Sequence, residues 1–584
     1  MPTSAGHLIV RQLEAHGVQR VYSLPGESFL DVLDGLHDSP ISTVVARHEG
    51  GAGFMALAEG RLTGLPGIAM VTRGPGAANA LIAVHTAWQD ATPLVLFVGL
   101  IPVADRGRDS FQEFSLEGWF GSTAKRVLVL DDEHRAAELV AEAMHAAASG
   151  RPGPVVVGLP EDVLVRTTES GAVPPRPVPA PAPDAGTAAE LAARLAAAER
   201  PLIVAGGDGW TVPVTGSGND ADASFPGRPA SGAARDGAAG AGPRTAGAVL
   251  AAWAEAAHVP VAADWRAYDA VPHSSGAYAG YLGYYRSDEL AARYREADLL
   301  VFVGCGRSDV PSDGYTAGLD ATTVVVLPDP GAATHAGRID QQIVATPASF
   351  ASALPAPRDA RGTRGSAWMD ALDEARRRFA DAAPEDPASG VDLGVAFGLL
   401  EEKLPADRTV TYGAGNATLW GHRYLRHAGP GTLVGPRNGA MGVSVPAAVA
   451  ASIIDPDRLA VAVCGDGDFL MNGQELAVAA AHGTAPLVVV VDNGVFATIV
   501  QHQEKHYPGR PSGTGMTNPD FAALVASFGG HGETVRDTAG LAGAIDRVVE
   551  AATVRRVPAL LHLVIDPATM PPSTAAAPSA GERA

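Results

Sequence analysis

GDGDFLMNGQELAVAAAHGTAPLVVVVDN, residues 465–493, decides the fold. Gly465-Asp466-Gly467 closes one apolar run, LAVAV (459–463) with Cys464, and LVVVVD (487–492) is a second run that delivers Asn493. Runs that are apolar at successive positions are strands of a parallel sheet covered on both faces. NGQELAVAAAHG (472–483) between them reads as the crossover helix. Asp466 and Asn493 therefore arrive at the C-terminal edge of the sheet, where open α/β sheets bind ligands. The glycines allow a tight turn and close approach of a ligand to main-chain N–H groups. A carboxylate and an amide oxygen converging there suit Mg²⁺, with the Val495 carbonyl as a third protein ligand and phosphates or water completing the octahedron. Gly-Asp-Gly alone is also a common turn, and Asn a common helix cap. Their pairing across one strand–helix–strand unit favours the metal.

The same kind of run recurs along the chain: STVVA (42–46), GIAMVT (67–72), PLVLFVG (93–99), PVVVG (154–158), PLIVAGG (201–207) and LLVFVG (299–304). Ala/Leu-rich helical stretches separate them. The class is α/β, with three doubly wound parallel-sheet domains. Two Pro- or Arg-rich breaks, 173–186 and 356–366, read as linkers. The expected units are an N-terminal domain at 1–172, a central domain at 187–355 and a C-terminal domain at 367–570. Residues 214–245 are low in complexity and read as a flexible insertion, and 571–584 as a disordered tail.

The formal charge is −21, from 43 basic and 64 acidic residues, which disfavours nucleic acid and anionic membranes as partners. No apolar run approaches the ~20 residues needed to span a bilayer. The N-terminus reads as an amphipathic helix with Leu8, Ile9 and Leu13 on one side, not as a signal peptide. Cys305 and Cys464 stand in apolar runs and read as buried thiols, so a cytoplasmic location is expected. His502 and His506 have helical zinc spacing, but no third ligand accompanies them and zinc is not expected.

At GDG followed by Asn493 the chain resembles the thiamin-diphosphate-dependent enzymes. The resemblance implies that Asp466, Asn493 and the Val495 carbonyl hold Mg²⁺, which grips the diphosphate of thiamin diphosphate, with Gly465, Gly467 and Gly415 lining that end. RHEGGAGFMA (47–56) matches the family's catalytic-glutamate segment. Glu49 would then bond N1′ of the aminopyrimidine, with Asn79 nearby; blindly read, it is a carboxylate favoured at a helix N-terminus. Met441, in NGAMG (438–442), would be the apolar prop beneath the thiazolium. The family joins the glutamate of one subunit to the metal site of its partner, so a homodimer or a dimer of dimers is implied.

Segment order resembles the acetolactate synthase group over nearly the whole chain, supported by GPGAANALIAVHTAWQDATPLVLFVG (74–99) and DSFQEF (109–114). By that resemblance Phe111 and Gln112 border the substrate space, and His85 and Gln89 lie near it. Departures are Glu27, where the biosynthetic enzymes have glycine, Asp468, where the family has a small residue, and His502, where they have tryptophan. The arginine-containing flavin loop is not recognisable in VGCGRSDVPSDG (303–314), so tight FAD binding and a role in branched-chain amino-acid synthesis are not expected. The expected reaction is decarboxylation of a pyruvate-like 2-oxo acid, followed by attack of the enamine on a second carbonyl. The alternative is a decarboxylase or 2-hydroxy ketone lyase in which Glu27 protonates the intermediate. A non-catalytic binding protein is opposed by intact Glu49, Asp466, Asn493 and Met441, and a nicotinamide enzyme by the lack of GxGxxG after the first strand.

Overall fold

The computed structural model describes residues 2–214, 244–331, 335–357, 363–380, 389–572 and 574. Three six-stranded sheets form, and every strand pairing within them is parallel. In spatial order the first sheet is Ser42–Val45, Arg20–Ser23, Gly67–Val71, Leu94–Leu100, Pro154–Pro160 and Arg126–Val129. The second is Tyr278–Tyr281, Val261–Ala263, Pro201–Ala205, Leu299–Val303, Thr322–Leu327 and Gln341–Val344. The third is Leu433–Val434, Arg408–Tyr412, Leu459–Gly465, Leu487–Asp492, Ala559–Val564 and His531–Val535. These are the successive-apolar runs of the sequence, buried because helices cover both faces.

Each sheet has one reversal of winding near its centre, and the first and third sheets turn back a second time at their far edge. The central reversals fall between Arg20–Ser23 and Gly67–Val71, between Pro201–Ala205 and Leu299–Val303, and between Arg408–Tyr412 and Leu459–Gly465. At such a point adjacent loops diverge and leave a crevice. The three central reversals are the places to look for ligand chemistry.

Buried charges lock the three sheets together. Helix Glu49–Thr63 is rich in Gly and Ala and buried over nearly all its length. At its end Arg61 donates to Asp208 (2.8 Å) and Asp269 (2.7 Å) of the central segment. The other oxygen of Asp269 accepts the N–H groups of Gly431, Thr432 and Leu433, at 2.9, 3.1 and 3.2 Å. Arg437 bonds Asp264 at 2.5 Å, and its own N–H bonds Asp90 at 2.8 Å.

One expected boundary moves. Helix Thr363–Ala380, most of which the linker reading gave to the third unit from 367, packs on the central sheet. Trp368 buries there and its indole N–H donates to the Pro201 carbonyl at 2.9 Å. The insertion expected at 214–245 and the tail at 571–584 lie almost wholly outside the described residues. The insertion's two ends, Pro213–Val214 and Arg244–Thr245, pair antiparallel. No helix of the described residues is long and apolar enough to cross a membrane.

Removing one partner of a buried ion pair typically costs about 3–5 kcal/mol. Asp269→Ala should therefore lower the thermal midpoint by several degrees in calorimetry. An unchanged midpoint would mean that the knot adds nothing to stability.

Candidate active site

At the third sheet's reversal, strand Leu459–Gly465 turns directly into helix Asp466–Asn472. Asp466 is buried, 4 % exposed. Its Oδ1 accepts the Gly467 N–H at 2.9 Å, and its Oδ2 accepts the Gly494 N–H at 3.0 Å and the Asn518 amide at 2.7 Å. The same Asn518 amide donates to Asp492 at 2.8 Å, and His562 holds the other Asp492 oxygen at 2.9 Å. Burial, and then the neighbouring Asp492, push Asp466 up to about 6, against the Asn518 bond. Asp492 is also partly buried, but the His562 and Asn518 bonds hold it low, at about 2. Asn493 Oδ1 accepts the Val495 N–H at 3.1 Å. Two carboxylates bridged by one amide form a site that a divalent cation would neutralise. Beside it, Gly415 (φ +97°) caps helix Asn416–Tyr424. The Asn416 amide nitrogen is buried with no hydrogen-bond partner, while its oxygen accepts the Thr498 hydroxyl at 3.0 Å. The donor set fits a metal diphosphate.

Met441 is half-buried in the loop before helix Ser444–Ile454. The loop docks on helix Pro75–Asp90 of the first segment. There the Asn438 amide lies 3.3 Å from His85 Nδ1 and donates to Thr86 at 3.1 Å. His85 is exposed, and this is where the structure places it.

The first sheet's reversal carries the other group. Glu49 opens helix Glu49–Thr63 and is 7 % exposed, with its Oε2 accepting the Asn79 amide at 2.9 Å. Glu27 does not stand free. Arg73 donates to it at 3.1 Å and to Glu161 at 2.6 Å, while Arg73 Nε stays unpartnered. Arg73 and Gln112 line a cavity of about 260 Å³. Gln112 sits at φ +63° against Gly74, which has no room for a side chain: an added Cβ would lie 3.0 Å from the Gln112 carbonyl. Phe111 beside it is 77 % exposed. No hydrogen bond joins the Glu49 group to the Asp466 group among the described residues.

Several residues at the site escaped the sequence. Asn518 and His562 stand alone in loop and strand with no periodic signal, and Asp492 passed as the end of its strand. Glu475, inside the opening stretch, is fully buried and accepts the Arg47 N–H through both carboxylate oxygens at 3.1 Å, two residues before Glu49. Arg73, just before the stretch 74–99, carries no signal of its own.

Comparison with known proteins assigns the class. Family models of thiamine pyrophosphate enzymes match in order: the N-terminal TPP binding domain at 3–118, the central domain at 238–354 and the C-terminal TPP binding domain at 413–563. The chain is a thiamin-diphosphate-dependent enzyme. It is 30% identical to the acetolactate synthase large subunit of Parasynechococcus marenigrum over 557 residues, 91% of this chain and 84% of that one. It is 27% identical to the acetolactate synthase isozyme 2 large subunit of Escherichia coli, over 96% of this chain and 95% of that one. With the catabolic acetolactate synthase of Raoultella terrigena it shares 28% identity, over 96% and 94%. The chain belongs to the acetolactate synthase large-subunit family.

Burial lifts Glu475 from the ordinary 4.5 to about 7, although the N–H groups of Arg47 and His48 oppose it. The folded state keeps that proton between the two values and the unfolded chain does not, so stability falls as pH rises through this window. Glu475→Gln should raise the thermal midpoint at pH 8, worth on the order of 3 kcal/mol, and lose this advantage near pH 4. A midpoint that is equal or lower at pH 8 would show that the N–H groups fully compensate the charge.

Proposed function

We propose that this enzyme decarboxylates a 2-oxo acid, pyruvate-like, and joins the remaining fragment to a second carbonyl compound. The carrying observation is that two sheet reversals bear complementary halves of one site. One presents the buried acid Glu49, oriented by Asn79, and the other the bridged carboxylate Asp466 with Asn493. The names of the relatives support acetolactate as the product.

In this reading Asp466, Asn493 and the Val495 carbonyl hold Mg²⁺. Gly465, Gly467, Gly415 and the free Asn416 amide receive the diphosphate. Met441 props the thiazolium. Thiamin diphosphate supplies the electron sink. Glu49 exchanges a proton with the aminopyrimidine N1′, and Asn79 holds the carboxyl in place for it. Gln112, Phe111 and His85 border the substrate space. Arg73, which lines that space, pairs with Glu27 at 3.1 Å and so holds its carboxylate close by.

Apolar side chains lie open near both halves. Phe111 is 77 %, Leu470 45 %, Met471 49 % and Ile499 50 % exposed, as expected if a second copy covers them. A homodimer, or a dimer of dimers, would join Glu49 of one protomer to the metal site of its partner. Two free, buried cysteines suit the cytoplasm.

The crowding of the central reversal supports a reading without a tightly held flavin. An added Cβ on Gly207 would lie 2.1 Å from the Gly304 carbonyl, so the two loops are closed on each other. Trp265, Arg266 and Tyr268 are buried there, and a cavity of about 10 Å³ lined by Gly207, Arg266 and Arg437 has room for about one water.

The first test is NMR of products from pyruvate with thiamin diphosphate and Mg²⁺. Acetolactate supports the proposal, acetaldehyde alone would move the chain to the lyases, and untouched pyruvate with bound cofactor would remove pyruvate as donor. Glu49→Gln should lower kcat by about 10²–10⁴-fold and leave cofactor binding in place. Protons compete with the metal for Asp466 near its value of about 6. Cofactor affinity in Mg²⁺ should therefore fall as pH drops below 6, and Asn518→Ala, which removes a donor favouring the ionised form, should shift that fall to higher pH. A pH-independent affinity would argue against Asp466 as ligand.

A further inference from the structure

Asp468 stands where the family resemblance expects a small residue, and its surroundings give it a task. It is 2 % exposed at the third sheet's reversal. Its Oδ1 accepts the Gly442 N–H at 2.7 Å and lies 3.5 Å from the Ala414 N–H, and Ser444 Oγ lies 3.4 Å from its Oδ2. Gly413 makes room for it: a Cβ there would fall 1.7 Å from Oδ2. One turn further along the same helix, the Asn472 amide donates to the Gly442 carbonyl at 2.9 Å. Gly442 is therefore held through the N–H of the peptide before it and the C=O of the peptide after it, by side chains at i and i+4 on one helix face.

That helix begins with Asp466, and the residue it grips follows Met441. We infer that Asp468 and Asn472 are positioning residues that clamp Gly442 and so keep Met441 in register with the metal-site carboxylate. The inference rests on the proposed roles of Met441 and Asp466. Across the crevice, Arg266 of the central segment donates to the Gly413 carbonyl at 2.8 Å, so the 413–415 loop is braced as well.

The test begins with cofactor-free protein. Losing a buried hydrogen bond should speed exchange of the Gly442 amide on the order of tenfold in Asp468→Ala, while Asp468→Asn, which keeps an acceptor of the same shape, should restore slow exchange. Affinity for thiamin diphosphate with Mg²⁺ should fall on the order of tenfold in Asp468→Ala and in Asn472→Ala, and recover in Asp468→Asn. Unchanged exchange in Asp468→Ala overturns the clamp. Faster exchange with unchanged affinity overturns its link to the cofactor. Should Asp468→Ala not fold, Asn472→Ala with its own exchange and affinity decides the same two points. A wild-type chain that binds no cofactor would sink the reading of the site, while the exchange comparison would still decide the clamp.

Discussion

The position of every group in the site depends on the fate of one buried guanidinium. Arg61 ends the helix that Glu49 begins, and it cannot be left uncompensated away from water. Its two bonds go to Asp208 and Asp269, and Asp269 in turn takes three backbone N–H groups of the third segment. One carboxylate thus fixes the angle between segments that bear complementary chemistry. Pairing such charges adds less to stability than it costs to break them apart. The return is uniqueness of arrangement, which a site assembled from distant parts requires.

The three sheets, each with a reversal near its centre, have met three ends. The first reversal carries an acid and its orienting amide. The third carries a carboxylate pair and an unpartnered donor. The second is shut, glycine against glycine, and packed with aromatic rings and a guanidinium stacked on Trp265. Topology places the crevices, and side-chain volume and charge decide which remain open.

The sequence made the fold class legible because strands buried on both faces leave continuous apolar runs, bounded here by turn residues and rich in β-branched side chains. Gly-Asp-Gly with Asn493 and the segment around Glu49 were legible because short motifs there demand particular residue types. Asn518, Glu475 and His562 were not, since a single polar residue carries no period and acquires meaning only from what folds against it. Glu27 was visible, but its neutralising partner Arg73 lies on another strand's end, and such pairings are set by strand order. Asp468 was seen as a departure, and only the approach of Gly413 and Gly442 explains it. Helix Thr363–Ala380 was assigned by its place after a linker, although the apolar face of Trp368 and Leu372 takes it back to the central core.

The short ribbon joining Pro213–Val214 to Arg244–Thr245 has a meaning for how such chains diversify. It brings the two ends of whatever lies between to one place on the central segment. Closing a longer loop costs only about 0.6 kcal/mol for each doubling. Lineages could lengthen, shorten or replace that stretch almost freely, making it the natural place for a reporter or an affinity handle to be spliced into an otherwise tightly knotted enzyme.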